Sequence, residues 1–579
     1  MSKKLLAIIL ALIIALSVVA VPVAAAGIAL PNTSLENVLY MIIDKLLSWL
    51  LSYFNMYWPG YEGGWTGMGE YDSADFYAGQ EEFDKTFDDT NEWSLGYARE
   101  SLLDGLDIMG GEYFMAGSLE PIAGRVPTKI VDDQRVRVYA ISDGDDTDGD
   151  GVTDKVVHAV IDGFGFSRGD VNTIRERLAE FAEANDVISI NVSVLHQHSC
   201  IDTLGMNVPL APALIYNTSN AAVGGISDKI IEKNQQFMEN LFSKTVYAIK
   251  RAVKTMKTGD LYYGTVDANE FIHDKREPIA IDEMVHRLRF VPEDGSAETW
   301  IIEAGFHVIS LGAGGTELTG DVPFYVEKYL NEELGVNVVY VQGAELAISK
   351  GDVEACTLCG GTGVPTDAVD EETGKRLYEC TECGESFVPA DEDRYQSMET
   401  FSTLYAKKIC TIDNEIKLDP VLNIAHREVV LDVTNEILTL ATREGILNAV
   451  IVRNGSGYQM ITEIGYMRLG NEVAIFICPG EFDPLLIYGG PESGSASWSG
   501  TTWEYTGPDG EKTAAPLKDY LDVDNVMVFG ICNDQAGYVL RDNEYHSIID
   551  NNEEVNIVAT NAGSVFSAEF AKMVCDFAA

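Results

Sequence analysis

The chain has 579 residues, with 91 Asp plus Glu against 40 Lys plus Arg and a formal net charge of −51. Such a field repels phosphate backbones and anionic membrane surfaces, so nucleic acid is excluded as a partner. The length exceeds one compact core of ordinary size, so one large elaborated domain or two to three domains are expected, and nine cysteines are too few for a disulfide scaffold.

At the N-terminus, Lys3 and Lys4 precede an apolar run from Leu5 to Ala20 and the small residues Val23, Ala24, Ala25 and Ala26. A basic flank, an apolar region and a small-residue cleavage pattern make residues 1–26 an export signal, with an uncleaved membrane anchor as the alternative. The expected location is secreted or cell-surface, with any membrane-surface association made through this end. Thr33 and Glu36 have capping-box spacing ahead of an amphipathic segment that reaches Phe54. It is read as a core-packing helix rather than a membrane-surface one, because it has no basic face. From Tyr57 to Trp93 glycine, aromatic and acidic residues follow without a clear period, the pattern of a surface loop or linker.

From Arg135 onward strand patterns alternate with helical ones. Strands are expected over Val136–Ile141, Val156–Ile161, Trp300–Val308, Val336–Val341, Val473–Ile477 and Val526–Ile531, and helices over Asp170–Ala184, Ile230–Met256 and Val322–Glu333. Alternation of this kind predicts an α/β fold, a layered domain with a mixed sheet, and the second half of the chain repeats the style.

Three groups of residues carry chemistry. Between the first two strands, Asp146, Asp148, Asp150 and Asp154 occupy positions one, three, five and nine around Gly151, as oxygen ligands do when they wrap calcium. Position twelve is Val157 rather than an acid, so a polar hairpin tip is the alternative. From Val187 to His198 the residues Ile188, Ile190, Val192, Val194, His196 and His198 alternate with polar ones. On a strand this period puts both imidazoles on one face, about 7 Å apart along the chain, which suits a metal site and equally a pair of hydrogen-bonded core histidines. Farther on, Cys356 and Cys359 form one CxxC pair and Cys380 and Cys383 another, with residues 360–379 between them. That is zinc-ribbon spacing, in which four thiolates close a structural site; two disulfides are the rival reading in an exported protein.

A last set is scattered in sequence but shares one kind of position. His307 follows the strand beginning at Trp300, Pro479–Phe482 follow the strand at 473–477, and Asn533–Tyr538 follow the strand at 526–531. Strand ends of an α/β layer converge on one edge of the sheet, where ligand crevices form.

At this point the chain resembles the neutral, non-lysosomal ceramidases, over about Tyr113 to Tyr545 with the ribbon as an insertion. The resemblance rests on Tyr113 to Gly117 with the segment Asp133–Gly144, on Ser193 to Ser199, on Phe306–His307 with Thr319, Gly320 and Asp321, on Leu469 to Phe482, and on Gly530 to Tyr545. It implies an α/β catalytic domain split into residues 106–350 and 393–579, a ribbon at 351–392, and an N-terminal helix and Gly/aromatic/acidic segment at 27–105. It further implies one catalytic zinc held by His196, His307, Glu481 and Tyr538, with His198 beside the metal as a hydrogen-bonding or proton-handling group. Ser349 corresponds to a serine implicated in catalysis in the family, although the residues around it, Leu346 to Gly351, do not otherwise keep the family's Gly-Asp-Val-Ser-Pro-Asn pattern. Cys200 and Ile201 likewise replace its Gly-Pro. The family's C-terminal immunoglobulin-like domain is not expected in the short stretch after Tyr538. The activity implied is hydrolysis of an N-acyl amide of a sphingolipid by metal-activated water. Another N-acyl lipid or amide substrate, an esterase or peptidase on the same scaffold, and a non-catalytic surface protein stabilised by zinc and calcium are the alternatives.

Overall fold

The computed structural model describes residues 45–53, 77–87, 90–110, 113–117, 124–147, 149–205, 228–276, 279–443, 445–455, 457–490, 505–506, 508, 512–513, 515–545, 553 and 556–578. Residues 1–26, the expected export signal, and most of the stretch 27–93 therefore lie outside the described residues; within that stretch, residues 45–53 are helical, with Leu51 buried and Trp49 exposed. Among the described residues no helix is long and apolar enough to cross a membrane.

Two sheets form the body, and the fold class is α/β. The larger, nine-stranded sheet runs in the order Asn337–Gln342, Thr299–Ala304, Met284–Pro292, Lys257–Asp267, Ser94–Ser101, Arg135–Ser142, Lys155–Ile161 and Val187–Val194, with Ile416–Lys417 added to Lys257–Asp267. Its two end pairs are parallel and the pairs between them antiparallel. Where the pattern predicts alternating strands and helices, antiparallel hairpins therefore occupy the middle of the sheet. The smaller sheet runs Leu422–Asp432, Gly457–Leu469, Val473–Ile477 and Asn525–Phe529, with Ile451–Asn454 beside Gly457–Leu469. Here the sequence expectation is corrected: only its last pair is parallel, and long antiparallel strands replace most of the expected alternation. A tight turn lets such strands pair without a crossover helix.

The predicted helices form as Arg168–Glu183, Asp228–Lys254 and Asp321–Leu334. The first two cover one face of the larger sheet, burying Val171, Ile174, Leu178, Ile249 and Ala252 against Val136, Val138, Val157, Ile190 and Val192. Gly96 permits this approach, since a Cβ there would stand 2.0 Å from the Ala252 carbonyl oxygen. On the smaller sheet, helix Ala562–Ala578 buries Phe566, Phe570 and Val574 against Phe476 and Phe482.

The two sheets meet over a shared apolar core, Val156, Val160, Ile301 and Val339 against Ile424, Ile475, Met527 and Phe529, and beside it runs a buried polar seam. Ser189, on the opposite face of Val187–Val194 from Ile190 and Val192, bonds across to His426 Nε2 of the smaller sheet at 3.0 Å, and Ser193 bonds to His158 Nε2 on the neighbouring strand of its own sheet at 2.8 Å. Asn533 Nδ2 donates to Asn191 Oδ1 at 2.9 Å, and the Asn533 amide donates to the Val192 carbonyl at 2.7 Å. Burial holds His158 and His426 neutral, lowering them from 6.5 to about 3 and about 4 respectively. Because the unfolded chain binds protons near 6.5 and the folded one does not, this part of the stability is intact above pH 6.5 and is lost as pH falls toward the folded values. The expected loss is up to about 1.4 kcal/mol per pH unit per imidazole. Urea midpoints measured from pH 7 to pH 4 fall in the wild type and fall less steeply in His158→Gln; equal slopes would remove the seam histidines from the account.

The cysteine segment forms a four-stranded antiparallel sheet, Glu354–Ala355, Thr362–Val369, Arg376–Cys380 and Ser386–Phe387. Each CxxC closes a turn, Gly360 N–H to the Cys356 carbonyl at 2.8 Å and Gly384 N–H to the Cys380 carbonyl at 2.9 Å. The chain leaves it through helix Arg394–Ile409, whose start is fixed by a capping box between Asp393 and Gln396.

Candidate metal centre

The strand that leads to the histidines ends at Val194, two residues before His196, and His196 takes a left-handed φ of 51°. This corrects the period-two expectation: the chain turns at the first imidazole, and the ring centroids of His196 and His198 come to 4.6 Å instead of one strand repeat. His307 also lies beyond its strand, Thr299–Ala304, where its main chain bridges Ser349 in parallel fashion. From the smaller sheet, the strands Val473–Ile477 and Asn525–Phe529 each continue into a two-residue strand, Glu481–Phe482 and Tyr538–Val539, which pair in register Glu481 to Tyr538. The edges are stitched together by main chain: Val194 N–H to the Ile531 carbonyl at 3.2 Å, Gly530 N–H to Gln342 at 2.7 Å and Cys532 N–H to Cys478 at 2.9 Å. The scattered strand-end residues thus share one edge.

Each imidazole is oriented by a main-chain carbonyl on its Nδ1. His196 Nδ1 lies 2.8 Å from the Phe164 carbonyl, His198 Nδ1 2.9 Å from that of Gly117, and His307 Nδ1 2.9 Å from that of Ile348. A carbonyl can only accept, so each Nδ1 carries the proton and each Nε2 presents a lone pair. Glu481 stands between them, with Oε2 at 3.4 Å from His196 Nε2 and 3.2 Å from His307 Nε2. Tyr538 stacks on His307, and its hydroxyl is 3.3 Å from His307 Nε2. Gln535 Nε2 donates to Glu481 Oε1 at 3.0 Å and fixes the carboxylate, while Phe164 stacks on His196 at 4.5 Å. Of these positioning residues the sequence reading named neither Gln535 nor Phe164.

Among the buried acceptors of this cluster without a hydrogen-bond donor are His196 Nε2, His198 Nε2 and Glu481 Oε2. Stranding buried polar atoms costs about 1–3 kcal/mol each, so the arrangement calls for a group that satisfies several acceptors at once. A proton serves poorly, since burial first, and then the neighbouring imidazoles, hold His196 well below 6.5 and bring His198 to about 3. A divalent cation fits the donor set of imidazoles and carboxylate. His196, His198 and His307 each offer a ring nitrogen within 4.8 Å of the others, and His196 and Glu481 form a second such group with Glu345. Glu345, absent from the sequence reading, is fully buried, with Oε2 at 3.8 Å from His307 Nδ1. Burial, and then the charge of Glu481, push its carboxyl well above the ordinary range.

The remaining sequence-named residues fall elsewhere or apart. Ser349 lies half-buried in strand Ile348–Lys350, beside His307 in the main chain, but no hydrogen bond joins its hydroxyl to the cluster. Asp146 accepts the amides of Gly149, Asp150 and Gly151, Asp150 accepts that of Val152, and Asp154 accepts from the Thr147 hydroxyl. These carboxylates cap their own turn and do not gather into a metal-sized group among the described residues; Asp148 lies outside those residues. The four cysteines do gather, with all sulfurs within 4.8 Å, Cys356 to Cys383 at 3.9 Å and Cys359 to Cys380 at 3.5 Å. None is in a disulfide. A tetrahedron of thiolates about 2.3 Å from a zinc has edges of about 3.8 Å, which these separations match. The Cys356→Ser, Cys359→Ser double variant is expected to lose one equivalent of zinc by elemental analysis with the far metal cluster unaffected; unchanged zinc would rule out the thiolate site.

The fold is shared with neutral ceramidase of known structure. A crystal structure of neutral ceramidase from Pseudomonas aeruginosa superposes with a TM-score of 0.54 at 14% identity, covering 84% of this chain and 74% of that one. A ceramidase complexed with C2 superposes with a TM-score of 0.52 at 12% identity, covering 84% of this chain and 75% of that one. No protein-family model and no curated protein sequence matches the chain.

Proposed function

We propose that the protein is an exported, zinc-dependent hydrolase that cleaves the amide of an N-acyl lipid of the ceramide type. The observation that carries this reading is the set of unmet buried acceptors on His196, His198 and Glu481, at the sheet edge of a ceramidase fold. His196, His307 and Glu481 would hold the ion with Tyr538 alongside, and a second zinc in the four-cysteine cluster would be structural, since four thiolates leave no open position. Calcium at the acidic turn has only the sequence spacing in its favour. Export rests on the pattern of residues 1–26.

When bound, zinc supplies a Lewis acid for the amide carbonyl and lowers the pKa of water toward neutrality. The chain's own residues do the rest. The carbonyls of Phe164, Gly117 and Ile348 keep three Nε2 lone pairs aimed inward, and Gln535 keeps Glu481 from turning. Burial, then the charge of Glu481, holds the Tyr538 phenol protonated, so it donates a hydrogen bond where negative charge develops on the substrate oxygen. His198 Nε2, free of any donor, would accept a hydrogen bond from the attacking water and orient it toward the carbonyl.

The test is turnover of a fluorogenic N-acyl sphingosine by the full chain with and without a chelator. Chelator-sensitive amide cleavage is expected. Cleavage of esters alone would favour an esterase, and no turnover of any substrate by the metal-loaded protein would favour a metal-stabilised surface protein.

A further inference from the structure

A second histidine–carboxylate cluster lies in the larger sheet, outside the centre described above. Strands Met284–Pro292 and Thr299–Ala304 pair with His286 directly opposite Glu303, so both side chains leave the same face. Asp282, just ahead of its strand, reaches back to the same point. His286 Nε2 lies 2.9 Å from Asp282 Oδ2 and 3.9 Å from Glu303 Oε2, and the three ligand atoms lie within 4.8 Å of one another. His286 is 5% exposed and Glu303 1% exposed, while Asp282 is half-buried and gives solvent a way in.

We infer that Asp282, His286 and Glu303 form a further binding site for a divalent cation. First, Glu303 Oε2 is buried, aimed at His286, and has no hydrogen-bond partner. A carboxylate oxygen stranded in this way costs free energy that a cation would recover. Second, His286 Nε2 faces both acids: the ring is held by the Tyr263 hydroxyl 2.7 Å from Nδ1, and the proton that Nε2 shares with Asp282 Oδ2 at 2.9 Å is the one a cation would displace. Third, the space for Glu303 is reserved, because a Cβ at Gly343 would stand 1.9 Å from Glu303 Oε1. Donors at about 2.1 Å from a common ion are about 3.4 Å apart in a tetrahedron, and the two separations on His286 lie either side of that value. One imidazole with two carboxylates is a set that manganese or zinc accepts.

The probe is Mn²⁺. Crystals of the metal-stripped, full-length protein soaked in Mn²⁺ are expected to give an anomalous peak between Asp282, His286 and Glu303; its absence at saturating Mn²⁺ overturns the proposal. In solution, Glu303→Gln keeps the shape and removes the charge, and is expected to bind one Mn²⁺ per chain fewer than the wild type by electron paramagnetic resonance. Equal stoichiometry would also overturn it. A peak at His196, His307 and Glu481 bears only on the proposed hydrolase centre, so the two readings succeed or fail separately.

Discussion

Replacing Glu481 with Gln lowers kcat/KM for the N-acyl amide by on the order of 10³-fold, the equivalent of about 4 kcal/mol of lost transition-state stabilisation. Glu481 is the one side chain whose carboxylate oxygen lies within 3.4 Å of both His196 and His307, so it supplies the negative charge that would make the centre bind a cation. Glutamine keeps the shape, and its oxygen still accepts from Gln535, so the fold is unaffected. The variant should therefore bind zinc more weakly at this centre while its urea midpoint stays near that of the wild type. Activity within tenfold of the wild type at saturating zinc would remove Glu481 from the reaction.

Arg137→Met destabilises the protein by about 3–5 kcal/mol. Arg137 is 1% exposed and lies between two buried acids, with Nη1 at 2.6 Å from Asp162 Oδ1 and Nε at 2.5 Å from Glu327 Oε2. Methionine fills much of the volume but leaves both carboxylates without this partner in a low-dielectric interior, which is far costlier than losing an exposed ion pair. The damage reaches the candidate centre as well. Asp162 Oδ1 also accepts from Gln197 Nε2 at 3.3 Å, and Gln197, between His196 and His198, donates its amide to the Gly163 carbonyl at 2.9 Å. Loss of urea stability should therefore come with weaker zinc retention, measured on protein still folded. A shift below about 1 kcal/mol would mean the network carries little of the fold.

The elements easiest to read in the sequence were a helix with one apolar stripe and strands whose apolar runs are buried on both faces. Helix Asp321–Leu334 and strands Lys155–Ile161, Asn337–Gln342 and Val473–Ile477 stand within a residue or so of their expected places, because apolar runs at helical or strand period have one reading there. The long antiparallel strands Leu422–Asp432 and Gly457–Leu469 were not legible. Each carries charged residues whose partners are distant in sequence, such as Glu463, which Arg175 Nη2 meets at 2.7 Å. The polar half of Val187–Val194 shows the same difficulty, since Ser189, Asn191 and Ser193 would suit water but are sealed against the second sheet. At the centre, strand-end logic brought His307, Glu481 and Tyr538 to one edge, and the resemblance added His196 to them. Glu345 and Gln535 were missed because an isolated acid or amide in a loop has no periodic signature; only the close approach of Glu345 to His307 and of Gln535 to Glu481 reveals them.

X-ray absorption at the zinc edge, on the Cys356→Ser, Cys359→Ser variant so that sulfur-bound metal is gone, tests the central claim most directly. The account predicts zinc with only nitrogen and oxygen neighbours at about 2.0–2.2 Å, of which one equivalent per chain is lost together with amide hydrolysis in Glu481→Gln. A variant that retains no zinc, yet still cleaves the amide, would contradict it.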